Sequence, residues 1–320
     1  VSAILIVAGL TIVLLQFGFY KKCVDRFFPE KTGHNVTAVK KCSGEVKRRI
    51  FFNGHPDAAW EWPVNYALGG VGFEGHAVIC GIGAVYYLVI SIISTVKYGA
   101  FGMISHDVTL FKMALWGLIF VPFLIGLYWM WNKNRIVDGA NDNLSGCYMG
   151  IAVLKALHDQ GITLENTEVG VILSGSEEAG LRGCKSWAKN HYDEYVNSGV
   201  ETVVLCVDTL TDREYLRVYN KDMTGTVKNN QQFSQLVMNA SKDAGHDDIE
   251  LSSVFFGSSD AAAFSQAGIT ATCLAAMDPR PADYYHNRRD TADRLVPETI
   301  KTGFDVIIST ILNFDEKGLN

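Results

Sequence analysis

The stretch Val171-Ile-Leu-Ser-Gly-Ser-Glu177-Glu178-Ala-Gly-Leu-Arg-Gly-Cys184 combines an apolar run, two adjacent carboxylates and a glycine-rich turn. The run predicts a buried strand that ends at Ser174, and the turn predicts the start of a helix. In open α/β sheets, ligands bind just beyond the carboxyl ends of the strands. Because neighbouring side chains on an extended segment point in opposite directions, one glutamate could bind a metal while the other faces a substrate. An acidic helix N-terminus is the competing interpretation.

The rest of the chain outside its longest apolar runs alternates predicted strands with predicted helices. The predicted strands are residues 35–39, 49–53, 168–174, 202–207, 216–219, 252–256 and 269–275. The predicted helices are residues 145–157, 181–191, 233–244, 260–267 and 297–314. This alternation predicts the α/β class, with a mainly parallel mixed sheet covered by helices on both faces.

Three uncharged runs, at residues 1–20, 77–96 and 113–131, are each long enough to span a lipid bilayer. We therefore expect a transmembrane helix at 1–20, the first part of the α/β domain at 21–75, an inserted transmembrane hairpin at 76–131 and the main part of the domain at 132–320. A hairpin crosses the membrane twice, so both parts of the domain are expected on the same side. Since the chain begins with Val1 inside an apolar run, we also expect its N-terminal part to be missing.

The basic residues near the membrane ends are unevenly distributed. Six of them lie on the side of the α/β domain, namely Lys21, Lys22, Arg26, Lys31, Lys133 and Arg135. Two lie in the hairpin connection, namely Lys97 and Lys112. The positive-inside rule therefore predicts a cytoplasmic α/β domain. An odd count of seven cysteines without a C-x-x-C motif agrees with reduced thiols. The net charge of −6 gives no indication of the basic surface that nucleic-acid-binding proteins use.

Potential metal ligands recur at the predicted strand and loop ends. They are His55 with Asp57, Asp142 in a Gly/Asn/Ser-rich turn, the Glu177–Glu178 pair, Asp208, and His286 with Asp290 close behind. Each alone has a structural explanation, such as a helix cap, an Asx turn or a packed histidine. Together they would be a costly set of uncompensated charges on one sheet edge. Two divalent metals would compensate them, and this mixture of imidazole and carboxylate suits zinc, although cobalt or manganese could bind similar sets.

The same segments resemble the co-catalytic dizinc aminopeptidase family, metallopeptidase family twenty-eight, which includes bacterial leucine aminopeptidases, plasma glutamate carboxypeptidase and glutaminyl cyclase. The matching segments are Gly-His55-Pro-Asp57, Gly-Ala-Asn-Asp142-Asn-Leu-Ser-Gly, Ser-Gly-Ser-Glu177-Glu178-Ala-Gly-Leu-Arg-Gly, Asp208, Ser259-Asp260-Ala-Ala-Ala-Phe and Tyr285-His286-Asn-Arg-Arg-Asp290-Thr. The chain departs from this family in one respect, because the link between its first histidine and the bridging aspartate holds the predicted hairpin.

The resemblance implies a role for each matching residue. Asp142 would bridge two Zn²⁺ ions, His55 and Asp208 would complete one site, and Glu178 and His286 the other. Glu177 would be the general base that takes a proton from a metal-bridging water, and Asp57 would orient His55. Apart from the resemblance, the position of Tyr285 next to His286 makes it a candidate contact to the substrate or its oxyanion. The resemblance also implies a cis peptide bond between Asp142 and Asn143.

These observations predict a membrane-anchored zinc exopeptidase, most simply an aminopeptidase that acts on short peptides. Three alternatives remain open: a glutaminyl cyclase, a carboxypeptidase or deacylase on the same metal scaffold, and a receptor-like homologue without catalysis. The sequence leaves open the substrate side chain, the native metal and the oligomeric state.

Overall fold

A computed structural model describes residues 1–100, 107–280 and 282–319 of the chain. These residues form two compact units. The helical unit comprises Val1–Pro29 and Trp60–Ile136, and the α/β unit comprises Glu30–Ala59 and the chain from Val137 onward. The α/β unit is therefore assembled from two stretches that are far apart in sequence. The connection of the predicted hairpin includes residues 101–106, which lie outside the described residues.

The α/β unit contains a mixed sheet of eight strands among the described residues. The strands are β1 (Asn35–Lys40), β2 (Arg48–Gly54), β5 (Thr167–Ser174), β6 (Glu201–Leu210), β7 (Leu216–Asp222), β8 (Val227–Lys228), β9 (Glu250–Ser253) and β10 (Thr270–Ala276). Two further strands, β3 (Trp60–Glu61) and β4 (Asn132–Ile136), pair with each other within the helical unit. The sheet order is β1-β5-β2-β6-β10-β7-β8, with β9 beside β7. Its centre, β5-β2-β6-β10, is parallel, whereas β1 and β7 pair antiparallel with it.

Helices cover both faces of this sheet. In the α/β unit they are α5 (Ser145–Asp159), α6 (Arg182–Tyr195), α7 (Gln231–Asp243), α8 (Asp260–Gln266) and α9 (Pro297–Lys317). Alternate residues of β2 point to opposite faces, as the pleat requires. Ile50 and Phe52 join the large core beneath α5, α7 and α9, while Phe51 packs against Trp187 of α6. The predicted α/β class with a mainly parallel sheet is confirmed.

The helical unit contains the long apolar helices. They are α1 (Ser2–Val13), α2 (Pro63–Tyr98), α3 (Val108–Trp116) and α4 (Val121–Gly126). The spans Pro63–Tyr98 and Val108–Trp129 are long and apolar enough to cross a membrane, and Ser2–Gly18 is a shorter apolar helix.

These helices begin earlier than the sequence suggested. Pro63 occupies the first turn of α2, which places the expected boundary at residue 75 inside this helix. Trp62 also stacks on Phe73, with 4.2 Å between ring centroids. The third run begins at Val108 because Asp107 caps its first turn by accepting hydrogen bonds from the amides of Thr109 and Leu110.

The strand expected at residues 252–256 is also displaced. Strand β9 ends at Ser253, and the chain then leaves the sheet through Phe255 and Phe256, whose side chains are exposed, to a turn at Gly257 with a φ of 82°. Aromatic residues favour strands, so composition alone extended this element too far.

The close approach of α5 to β2 predicts that Gly54→Ala destabilises the fold. A Cβ at this position would lie 2.6 Å from the backbone nitrogen of Cys147 and 2.7 Å from the carbonyl carbon of Gly146. Overpacking against backbone that cannot rotate away should lower the free energy of unfolding by about 1–3 kcal/mol.

Gly303→Ala is the matched control. A Cβ there would meet only the ends of flexible side chains, Leu210 at 3.2 Å and Met149 at 3.6 Å. Alanine is favoured over glycine inside a helix by about 1 kcal/mol. Chemical denaturation of both variants compares the two effects. An equal loss of stability in the two variants would refute the packing argument.

Candidate metal centre

The parallel pairing of β2, β5 and β6 brings three ligand-bearing segments to one edge of the sheet. His55 directly follows β2, Glu177 and Glu178 follow β5, and Asp208 lies near the end of β6. In a parallel sheet all carboxyl ends face the same side. The side chain of His55 therefore meets side chains that lie more than 100 residues further along the chain.

Asp142 lies between two imidazoles at the centre of this cluster. Its Oδ1 is 3.3 Å from His55 Nε2, and its Oδ2 is 3.1 Å from His286 Nε2. Asp208 Oδ2 lies 4.0 Å from His55 Nε2, and Glu178 Oε1 lies 3.3 Å from His286 Nε2. One carboxylate thus reaches both halves of the cluster.

Three groups within the cluster have donor atoms within 4.8 Å of one another, a spacing that suits a metal ion. They are His55 with Asp142 and Asp208, Asp142 with Glu178 and His286, and His55 with Glu177 and Glu178. The first two groups share only Asp142. They correspond to the two ligand sets that the family resemblance implied.

A tight turn before α5 presents Asp142. The Asp142–Asn143 peptide bond is cis, as expected. The Asn143 side chain donates to the carbonyl oxygen of Val207 on β6, at 2.9 Å, and accepts a hydrogen bond from the amide of Gly146. The turn is thereby attached both to the sheet and to the first turn of α5.

Left-handed backbone conformations occur at or beside three residues of the cluster. His286 has a φ of 51°, Thr209 after Asp208 has a φ of 47°, and Ser176 before Glu177 has a φ of 63°. At Thr209 the β6–β10 pairing also shifts register, so that β6 continues through a bulge to Leu210 instead of ending at residue 207. Residues other than glycine adopt left-handed backbone conformations where the surrounding structure enforces them, often at functional sites.

The electrostatics of the cluster fit a cationic group. Burial raises the pKa of Glu178 to about 7, with His286 opposing this shift and Asp142 adding to it. Burial likewise raises the pKa of Asp208 well above its ordinary value, reinforced by the Asp142 carboxylate. Burial lowers the pKa of His55, but the Glu177, Asp142 and Asp208 carboxylates together raise it well above its ordinary value. Protons or divalent cations can supply the compensating charge, and metal binding favours the deprotonated ligands.

The donor atoms themselves also fit a metal ion. Asp208 Oδ1 is buried and has no hydrogen-bond partner in the described part of the chain. A buried acceptor of this kind is costly unless it has a partner. Two imidazole nitrogens and several carboxylate oxygens form a donor set that zinc binds in proteins.

Asp57 makes a different contact from the one expected. His55 Nδ1 lies 3.0 Å from the backbone carbonyl oxygen of Asp57 but 3.8 Å from its carboxylate. The carboxylate instead accepts hydrogen bonds from the amides of Glu177 and Glu178, each at 3.1 Å. A carbonyl oxygen is therefore the nearer partner of the His55 ring, and the carboxylate holds the two-glutamate segment.

A pocket opens beside the cluster. Glu177 and Tyr285 line it, and the Tyr285 ring stacks on His286 with 3.9 Å between centroids. An apolar wall that sequence reasoning did not assign completes the lining, formed by Val254, Phe255, Phe256, Met277 and Pro279. These residues follow strand ends, as the ligands do, but apolar side chains carry no motif that would have identified them.

Asp260 and Asp290 are buried carboxylates near the cluster that the sequence singled out without a role. Asp260 Oδ2 accepts a hydrogen bond of 2.6 Å from Ser174 at the end of β5. Asp290 accepts hydrogen bonds from the amides of Asn141 and Asp142. Both lie in segments already quoted for the family resemblance.

The fold and the cluster together define an α/β protein with a candidate metal centre at the carboxyl ends of a parallel sheet. The sequence model described as peptidase family M28 matches residues 128–311, more than half of the chain. The chain therefore belongs to peptidase family M28. No curated protein matches it significantly.

Two solved structures of low sequence identity share the fold, and a third shows a weaker similarity. An aminopeptidase from Aneurinibacillus sp. strain AM-1 is 18% identical to this chain, with a TM-score of 0.51. The alignment covers 87% of this chain and 47% of the aminopeptidase chain. A Bacteroides thetaiotaomicron glutaminyl cyclase bound to N-acetylhistamine is 16% identical with a TM-score of 0.53, covering 87% and 76%. BSAP, a zinc aminopeptidase from Bacillus subtilis, is 22% identical with a TM-score of 0.45, covering 55% and 42%. The chain thus spans less than half the length of either aminopeptidase.

The shared position of Asp142 predicts different metal losses for different ligand substitutions. Asp142→Ala should abolish binding of both ions, because this side chain reaches both imidazoles. His286→Ala should leave the site of His55 and Asp208 able to bind one ion. Elemental analysis of protein purified with excess zinc counts the ions in each variant.

His246→Ala is the control, since this histidine lies near Asp305 instead of the cluster, with 3.8 Å between its Nε2 and a carboxylate oxygen of Asp305. It should keep the parent's metal content. Equal metal content in the Asp142→Ala variant and the parent would exclude Asp142 as a shared ligand.

Proposed function

We propose that this chain is a membrane-anchored dizinc aminopeptidase that acts on short peptides. The observation that carries the proposal is the position of Asp142 between two ligand groups, with His55 and Asp208 on one side and Glu178 and His286 on the other. Membership of peptidase family M28 supports peptide hydrolysis.

Each ligand group would hold one zinc ion. His55, Asp142 and Asp208 would hold the first, and Asp142, Glu178 and His286 the second. When bound, the pair would supply Lewis acidity toward the scissile carbonyl group and make a water molecule more acidic. The protein's part is to place the ligands around the ions, which favour the deprotonated ligands, and to present the substrate to the ions.

Glu177 is suited to act as the general base. It lies next to the ligand Glu178 yet lines the open pocket, where a substrate could reach it. Burial raises the pKa of Glu177 well above its ordinary value, with His55 opposing this shift. A raised pKa brings a carboxylate closer to the operating pH, where a base can accept a proton from water and pass it to the leaving amine.

The charge around the pocket favours a substrate's amino terminus over its carboxyl terminus. Two divalent ions would balance the four carboxylates of Asp142, Glu177, Glu178 and Asp208. Asp57, whose carboxylate accepts hydrogen bonds from the amides of Glu177 and Glu178, adds a carboxylate beyond those four. The pocket lining contains no Lys or Arg among the described residues that could bind a terminal carboxylate.

Glutaminyl cyclisation is the second candidate function. The solved glutaminyl cyclase has a TM-score of 0.53 and is covered over 76% of its length. Cyclisation also requires a base and a polarised carbonyl, but it attacks with the substrate's own amine instead of water. The complete five-ligand set favours two metals and hydrolysis.

Glu177→Gln should keep the zinc content and lose activity by on the order of 10²–10⁴-fold, the usual contribution of positioned acid–base catalysis. Release of amino-terminal residues from short peptides, followed together with elemental analysis, measures both quantities in the purified full chain. The amide keeps the size of the side chain but cannot accept the proton.

Two comparisons complete this test. Glu178→Gln should lose activity through loss of zinc. Peptides beginning with glutamine should be hydrolysed by the parent instead of cyclised. Full activity of zinc-loaded Glu177→Gln would contradict the assigned base, and cyclised product from the parent would favour the second candidate.

We also propose that the helical unit spans the membrane with the α/β unit in the cytoplasm. Two of its helices are long and apolar enough to cross a bilayer. Six basic residues lie on the α/β side of the apolar runs, four of them after the run at residues 1–20, against two at the hairpin connection, and this difference supports the orientation. The free cysteines agree with a reducing compartment.

Protease protection tests the orientation. In intact cells or right-side-out vesicles, the segment 132–320 should resist protease until the membrane is permeabilised, because the bilayer would shield it. Cleavage within this segment before permeabilisation would place the α/β unit on the opposite side.

A further inference from the structure

Two carboxylates beside the metal centre bind the backbone in the same way. The Asp57 carboxylate accepts one hydrogen bond from the amide of Glu177 and one from the amide of Glu178, each at 3.1 Å. The Asp290 carboxylate accepts one from the amide of Asn141, at 2.8 Å, and one from the amide of Asp142, at 3.1 Å. In both cases the two oxygens of one carboxylate hold two consecutive amides of a segment that carries a ligand.

The sequence positions of these carboxylates relate the ligands to one another. Asp57 lies two residues after His55, and Asp290 lies four residues after His286. Each histidine loop therefore carries a carboxylate that holds the ligand segment of another element. The His55 loop holds the segment after β5, and the His286 loop holds the turn before α5.

We propose that Asp57 and Asp290 are positioning residues, which fix the Glu177–Glu178 segment and the Asp142 turn through paired amide hydrogen bonds and so hold the metal ligands in place. This inference rests on the proposed metal centre and extends it to residues outside the ligand set. Hydrogen bonds to an ionised acceptor are shorter and stronger than neutral ones. Paired bonds to successive amides also fix the direction of the segment as well as its position.

The surroundings of Asp290 support this role. Asp290 is buried, and the Asn141 side chain donates a second contact from the same turn, 3.1 Å to the hydroxyl of Tyr284. The Tyr284 hydroxyl in turn donates to Asp212 at 2.7 Å. The turn that presents Asp142 is thus held by backbone and side chain against the segment that carries His286.

The role of Asp57 differs in one respect, because its segment carries both a ligand and the proposed base. A displaced Glu178 would weaken zinc binding, and a displaced Glu177 would impair proton transfer. Asp290 holds a ligand segment alone. The two residues should therefore be separable by kinetics as well as by zinc affinity.

Asp57→Asn and Asp290→Asn test the inference in the full chain. The substituted amide keeps the shape of the side chain but directs an NH₂ group toward one of the two backbone amides. Competition with a chromophoric chelator should show zinc affinity lowered by about 10–100-fold in both variants, the usual effect of removing a residue that orients metal ligands. At saturating zinc, kcat of Asp290→Asn should return toward the parent value, whereas kcat of Asp57→Asn should remain about 10-fold lower or more.

Asp222→Asn is the matched control. Asp222 is as deeply buried as Asp290, and its carboxylate accepts hydrogen bonds from the amides of Met223 and Ser259, at 2.7 and 2.9 Å. Neither amide belongs to a ligand segment. This variant should lose thermal stability yet keep the parent's zinc affinity.

The outcomes separate this inference from the proposed function. Parent-like zinc affinity in folded Asp57→Asn and Asp290→Asn would overturn the positioning roles. If both variants bind zinc more weakly but the parent protein hydrolyses no peptide, the positioning roles would be supported and the peptidase proposal would be refuted. If an Asn variant does not fold, the Glu variant of that position replaces it, because one added methylene moves the carboxylate off its amides, and unchanged zinc affinity there would overturn the role.

Discussion

Carboxylates that are crowded and buried at one edge of the sheet repel one another, and this repulsion is the constraint on which the rest of the structure depends. Asp142, Glu177, Glu178 and Asp208 share one small region with two imidazoles, and burial raises the pKa of three of the four acids. An arrangement of this kind is costly without a compensating positive charge. The surrounding fold must therefore hold it in place with interactions made elsewhere.

The interactions that hold it come from two sources. The apolar core beneath α5, α7 and α9 fixes strands β2, β5 and β6 relative to one another, and this fixes the points at which the ligand segments begin. Polar contacts then set their direction, through the Asn143 bond to Val207 and the amides bound by Asp57 and Asp290. Packing of the core determines where each ligand-bearing segment leaves the sheet, whereas hydrogen bonds determine the final orientation of each donor atom.

The sequence indicated most of the ligand cluster because strand ends are visible as an apolar run followed by a polar residue. It could not indicate the contacts that depend on three-dimensional proximity. The Asp57 carboxylate was assigned to His55, two residues away, but its partners are the amides of Glu177 and Glu178. The bulge at Thr209 and the early end of β9 were missed for the same reason, since propensity describes a residue's local preference and neighbouring strands decide where pairing stops.

The long insertion between His55 and Asp142 has little effect on their distance because its ends are closed locally. The amide of Val137 donates to the carbonyl oxygen of Ala59 at 3.1 Å, which joins the two stretches of the α/β unit. Within the helical unit, Trp60 pairs with Ile136 in the β3–β4 ladder. The entropic cost of closing a loop grows only slowly with its length, so a pair of apolar helices can occupy this link at nearly the same cost as a shorter connection. The backbone pairing at the two ends of the insertion therefore allows His55 Nε2 and Asp142 Oδ1 to lie 3.3 Å apart. This distance does not depend on the length of the inserted chain.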